Sequence, residues 1–142
     1  MTTPASTARQ ITVAGEAEAP GQTWSNCLVI GREIVLSGVT ARGADGRAIG
    51  GASVGQQTLA ILECIGARVK AAGGTIGNIY KVVIYVTDIQ RKDEVRAARA
   101  AFFRPLYPAS TLVEVKGLVA PDLLVEIDAF ANLDVDLHEP AA

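Results

Sequence analysis

The chain has 142 residues and a net charge of −2, with 49% of its residues apolar and 20% charged. That profile is one globular domain, large enough to bury a core without disulfides or a structural metal. An acidic balance with no Lys/Arg cluster excludes a dedicated nucleic-acid surface, because phosphate contacts draw on basic stripes. No apolar run reaches the ~18 residues needed to cross a bilayer.

The opening MTTPASTARQ carries no apolar signal core, so the chain reads as a cytoplasmic protein whose thiols stay reduced. Residues 1–17 form a terminal extension ahead of a domain core at about 18–133. TWSNCLVIG (23–31) and REIVLSGVTA (32–41) are β-rich runs that meet at Gly31-Arg32, the mark of a hairpin. RGADGRAIGG (42–51), with Asp45-Gly46 and paired glycines, is a turn-rich loop. Ser53 and Gln56 have capping-box spacing, and Leu59, Leu62, Ile65 and Val69 follow at helical spacing, which predicts a helix over about 54–72. Gly73-Gly74 closes it.

YKVVIYVTD (80–88) is dense in β-branched and aromatic residues, and its near-continuous apolar character predicts a central strand covered on both faces. Asp93 is positioned to cap a second helix running to about Arg104, with Val95, Ala98, Ala101 and Phe102 on the buried stripe and Arg96 and Arg99 leaning away. Pro105 and Pro108 stop it. The last strands are TLVEVKGL (111–118) and LLVEIDAFANL (123–133), joined by VAPD, and DVDLHEPAA (134–142) reads as an acidic, frayed tail.

This order describes one α+β domain with two helices on one face of a mixed sheet. In the last strand Val125, Ile127, Ala129 and Ala131 alternate with Leu124, Glu126, Asp128 and Phe130. The first set suits helix packing. The second mixes apolar residues with two carboxylates, as expected of a face that meets another subunit. Cys27 and Cys64 have neither CxxC spacing nor more than one histidine, His138, for company, so they read as packing residues and no metal site is expected. His138, in the tail, reads as inert.

Over about residues 18–133 the chain resembles the Rid superfamily, also called the YjgF or L-PSP family. The resemblance rests on IVLSG (34–38), QQTLAILECIGARVKAAGGTIGNIYKVVIYVTDI (56–89), AAFF (100–103), YPASTLVEV (107–115) and LLVEIDAFA (123–131), in that order and spacing. It implies a chorismate-mutase-like α+β fold and a homotrimer with a central barrel, with a small-molecule pocket at each subunit interface. The best understood branch of that family implies cofactor-free hydrolysis of reactive enamines and imines to 2-oxo acids and ammonia. In that branch a Pro-Ala-Arg-Ser motif supplies an arginine that holds the substrate carboxylate; here its place is taken by Ser110. A guanidinium fork gives a carboxylate two charge-assisted hydrogen bonds of roughly 1.5–3 kcal/mol each, whereas a serine hydroxyl offers one neutral donor.

Carried over residue by residue, the resemblance puts a pocket-closing aromatic at Trp24, a carboxylate-contacting backbone amide at Gly38 and the water-orienting carboxylate at Glu126. An asparagine of the family pocket falls on Arg96, which would restore positive charge from another wall, and Ser110 and Thr111 would orient the substrate. A serine nucleophile lacks a histidine or lysine to take its proton. Two readings remain. One is a hydrolase or deaminase acting on a small imine, enamine or related metabolite that differs from the usual 2-imino acids. The other is a non-catalytic homotrimer that binds a small molecule or partner in the same clefts. Endoribonuclease activity, a third label attached to the family, gains no support from an acidic chain without a basic stripe or an acid–base histidine.

Overall fold

The β-rich runs build one mixed sheet from seven strands: β1 (Ala8–Gln10), β2 (Cys27–Ile30), β3 (Glu33–Leu36), β4 (Val39–Thr40), β5 (Ile79–Val86), β6 (Ala109–Glu114) and β7 (Val125–Asn132). The structure, a computed structural model, describes residues 7–16 and 18–139; the outer parts of both terminal extensions lie outside that set. Strand order is β1-β2-β3-β7-β5-β6, with β4 also paired to β7. Only β5 and β6 run parallel, joined by helix α2 (Lys92–Phe102), while helix α1 (Val54–Ala71) connects β4 to β5.

Alternation along β7 sets the layers. Val125, Ile127, Ala129 and Ala131 are fully buried, and Glu126, Asp128 and Phe130 between them are half-buried. The register pairs Val82 with Ala129 and Ile84 with Ile127, so the buried residues of β5 share that face. Onto it pack Ile61, Leu62, Ile65 and Val69 of α1 and Val95 of α2, forming one hydrophobic core. Both helices therefore lie on the same side, as the pattern predicts. Ser53 Oγ accepts from Gln56 N at 3.1 Å at the start of α1. At its end Gly73 takes φ +94°, and bonds from Gly73 N to Lys70 O and Gly74 N to Val69 O close the last turn in a Schellman arrangement.

Several expectations need correction. The second helix is not capped by Asp93: Asp88 accepts from Gln90 N and opens a 3₁₀ turn (Ile89–Arg91) that feeds directly into α2. Asp93 and Glu94 instead occupy the first turn, where carboxylates complement the helix dipole. The helix stops at Phe102, and Ala101 is exposed because ~100° per residue carries it off the Val95–Ala98 stripe. The buried place goes to Phe103, already in extended conformation.

The strand β5 is internal but not covered on both faces by this chain, since Lys81 is exposed and Val83 and Tyr85 are half-buried. Its β-branched density reflects strand propensity rather than two-sided burial. Pairing of β6 ends at Glu114, short of 118, and β6 lies at the sheet edge with most of its residues exposed. The described part of the tail is docked rather than frayed: Leu137 N donates to Gly77 O (2.9 Å) and Asn78 Nδ2 to Val135 O (2.7 Å). Those ties use backbone atoms, which acidic composition does not disclose.

One fully buried polar side chain couples helix to sheet. Gln57 Nε2 donates to Gly51 O (2.7 Å) and Asp122 O (2.9 Å), while its Oε1 accepts from Leu124 N (2.9 Å). Replacing Gln57 by Leu leaves a buried N–H and two carbonyls without partners, each unsatisfied group costing ~1–3 kcal/mol. The expected loss is on the order of 2–4 kcal/mol in urea-unfolding free energy. An unchanged unfolding midpoint would show that water replaces the amide.

Candidate functional site

The open face of the sheet gathers acid. Glu126 pairs with Tyr85 and Thr40, and Asp128 with Val83, so both carboxylates point away from the helices. Tyr85 Oη donates to Asp128 Oδ2 at 2.9 Å, which, with the neighbouring carboxylates, raises the tyrosine's pKa. Burial, and secondarily the Asp128 charge, push the Glu126 carboxyl above its ordinary range. The ion pairs among the described residues, Arg32–Asp134, Arg68–Glu16 and Arg91–Glu94, all lie elsewhere. Among those residues Glu126 is thus a half-buried carboxylate without a counter-cation, poised to take or hold a proton.

Gly38 lies directly beneath it. A Cβ built at that position would run into the Glu126 carboxylate and come within 3.1 Å of Asp128 Oδ1, so a larger residue here would displace the Glu126 carboxylate from its present position. Ser37 Oγ donates to Ser25 O (2.6 Å) and Ser37 N to Asn26 O (3.1 Å), tying the loop that carries Trp24 beside Gly38. Trp24 is 55% exposed, so it does not serve the core of this chain. Thr111, exposed on β6, pairs with Val83 and shares the open face.

Ser110 does not. It pairs with Val82 and faces the helix side, where Arg96 and Arg99 of α2 join it, with Phe103, Tyr107 and Pro108, around a cleft of about 370 Å³. Arg99 Nη1 donates to Ser110 Oγ at 2.6 Å. Desolvation, with the charge of Arg96, lowers the pKa of Arg99. Within one chain the structure therefore gathers Glu126, Gly38 and the Trp24 loop, with Thr111 on the same face, and brings Arg96 and Ser110 together on the other. Arg99 was expected to lean into solvent; its spacing from Arg96 and Phe103, three and four residues, was the available signal.

Elsewhere, burial pushes the Cys27 and Cys64 thiols up, away from the reactive thiolate. Among the described residues no three His, Cys, Asp or Glu side chains cluster as metal ligands, and no helix is long and apolar enough to cross a membrane.

Comparison with known proteins places this architecture. The family model described as Endoribonuclease L-PSP matches residues 15–133. The chain belongs to that family, the YjgF/Rid/UK114 group. A RutC family protein of Pyrococcus abyssi is 25% identical over 124 residues, covering 87% of this chain and 97% of that protein. A crystal structure of a Pseudomonas aeruginosa protein of unknown function superposes with a TM-score of 0.87 at 44% identity, covering 96% of this chain and 99% of the other. A Mycobacterium tuberculosis member of the YjgF/YER057c/UK114 family superposes at 0.75 with 32% identity, over 89% and 99% of the two chains. The α+β reading with two helices against a mixed sheet is the fold of this family.

The Glu126 environment has a signed consequence for stability. A carboxyl whose pKa is raised by folding opposes the fold only when ionised, so the penalty is absent below the carboxylate range and grows as pH rises through it. Glu126→Gln is expected to raise the melting temperature at neutral pH by roughly 1–3 °C and to change nothing in acid. Equal melting temperatures at both pH values would show that Glu126 is ionised at no cost.

Proposed function

We propose that this Rid-family protein is a cofactor-independent hydrolase that converts a small imine or enamine to its carbonyl product and ammonia. The observation that carries the reading is the uncompensated Glu126 carboxylate held over Gly38 on an open sheet face. In the proposed reaction Glu126 accepts a proton from water as the oxygen attacks the imine carbon. The nitrogen, protonated in turn, leaves as ammonia while the C–O bond becomes a carbonyl. A raised carboxyl pKa suits this exchange, and general acid–base help of this kind contributes about 10²–10⁴-fold.

Substrate binding by Trp24, Gly38, Thr111, Ser110 and Arg96 at a single site needs two copies of the chain, because Ser110 and Glu126 face opposite sides of one sheet. The homotrimer implied by the family resemblance is the proposed assembly. It would seat the edge strand of one subunit against the open face of the next, in the cytoplasm and without a metal or nucleic-acid partner. Light scattering at micromolar concentration is expected to give three times the chain mass; a monomer removes the composite site.

Activity is tested by generating 2-iminopropanoate and larger imino acids with an amino-acid oxidase and following semicarbazide trapping. The protein is expected to hasten imine loss, best with the larger substrates, and Glu126→Gln to lower kcat at least about 10²-fold. No acceleration with any imine, from a protein that still binds ligand, would favour a non-catalytic binding trimer instead.

A further inference from the structure

The chain between β1 and β2 carries Trp24, and one side chain of α1 holds that segment on both sides of the tryptophan. Arg68, in the last turn of α1, is buried although it bears a full charge. Its Nε donates to Glu16 Oε1 at 3.0 Å, its Nη2 pairs with the same carboxylate, and its Nη1 stands 3.5 Å from Asn26 O. Among the described residues Glu16 is its only ion-pair partner. Glu16 precedes Trp24 and Asn26 follows it, so the guanidinium closes the segment into a loop. A planar fork serves both ends at once, which an ammonium point charge does not. Withdrawal of Glu16 would leave a buried cation unpaired, and that cost keeps the loop against α1.

The loop is braced from within as well. Gln22 Nε2 donates to Trp24 O (2.8 Å) and Asn26 Oδ1 (3.0 Å), and Gln22 Oε1 accepts from Ala19 N (3.2 Å). Asn26 O also accepts from Ser37 N at 3.1 Å, and Ser37 precedes Gly38, which lies beneath Glu126. The carbonyl that Arg68 reaches is therefore bonded in turn to the backbone under the candidate carboxylate. Trp24 is 55% exposed, so its position is set by this backbone rather than by core packing.

We propose that Arg68 is a positioning residue for the site: by tying Glu16 to Asn26 it fixes the loop and so sets where the Trp24 indole stands relative to Glu126. A loop pinned at both ends before substrate arrives has less freedom to lose on binding, so the benefit falls on affinity rather than on the chemical step. The role deepens the hydrolase reading and rests on it for the kinetic arm of the test alone.

The test is ¹⁵N relaxation of the full chain. Backbone order parameters of about 0.85 are expected at Trp24 in the native protein and below about 0.6 in Arg68→Met, which fills the space of the stem and removes both ties. The amides of β7 should keep their native values. Arg68→Lys, which holds Glu16 but not Asn26 as well, is expected to give an intermediate value at Trp24. With an imine that the native protein hydrolyses, Arg68→Met is expected to raise KM at least about fivefold and to leave kcat within about twofold. If Arg68→Met does not fold, Glu16→Gln carries the test, with an intermediate order parameter expected at Trp24. Native order at Trp24 in every folded variant overturns the proposal, as does an equal loss along β7, which would make Arg68 a general support of the fold. Loss of order confined to the loop, in a protein that hydrolyses no imine, removes the hydrolase reading and leaves the tie that positions Trp24. Imine hydrolysis whose KM is unchanged once the loop is freed does the reverse.

Discussion

The strict alternation of β7, held in place by strands on both flanks, is the constraint on which the rest depends. The strand pairs with β3 and β4 along one edge and β5 along the other, so Glu126, Ile127, Phe130 and Ala131 are each assigned to a face by two independent ladders. A one-residue slip would put Glu126 and Asp128 into the core and Ile127 and Ala129 onto the open face. Gln57 guards against that slip from outside the sheet, because its amide fixes Asp122 and Leu124 just before the strand begins. Core packing and acidic surface are therefore two consequences of one register.

How much the sequence disclosed depends on how local each signal is. The α1 boundaries were readable because Ser53 and Gly73 act on neighbouring backbone, and the faces of β7 because alternation needs no knowledge of partners. The start of α2 was misread because Asp88 and Asp93 both suit a cap, and the choice depends on an intervening 3₁₀ turn that no periodicity marks. Burial of Gln57 was invisible, since its three partners come from loops whose positions are tertiary facts. Glu126 could be placed on its face from β7 alone. The opposition of Ser110 to Glu126 required the register of β6 against β5 and of β5 against β7, which no single strand contains.

Electrostatics divides the molecule as sharply as hydrophobicity does. Among the described residues, Glu126 and Asp128 on one face of the sheet form no ion pair, and neither do Arg96 and Arg99 at the edge behind it. Both sets are half-buried or bordered by apolar residues, where charge is costly to leave unpaired. Unpaired charge in such surroundings is the observation on which the proposed site rests.

The place of β7 in the sheet also governs how the chain can fold. The last strand to be synthesised is inserted between strands that precede it by about forty to ninety residues, so the sheet cannot close until the C-terminus is available. Before that, β2–β3 and β5–β6 can pair only apart from one another, with the edges that face β7 unpaired. Such species are prone to pair with other chains and fold slowly because their contacts are distant in sequence. Loss of a few residues at the N-terminus removes a three-residue edge strand; loss of the last quarter of the chain removes the centre of the sheet. A chain without β7 therefore lacks the strand that joins its two halves.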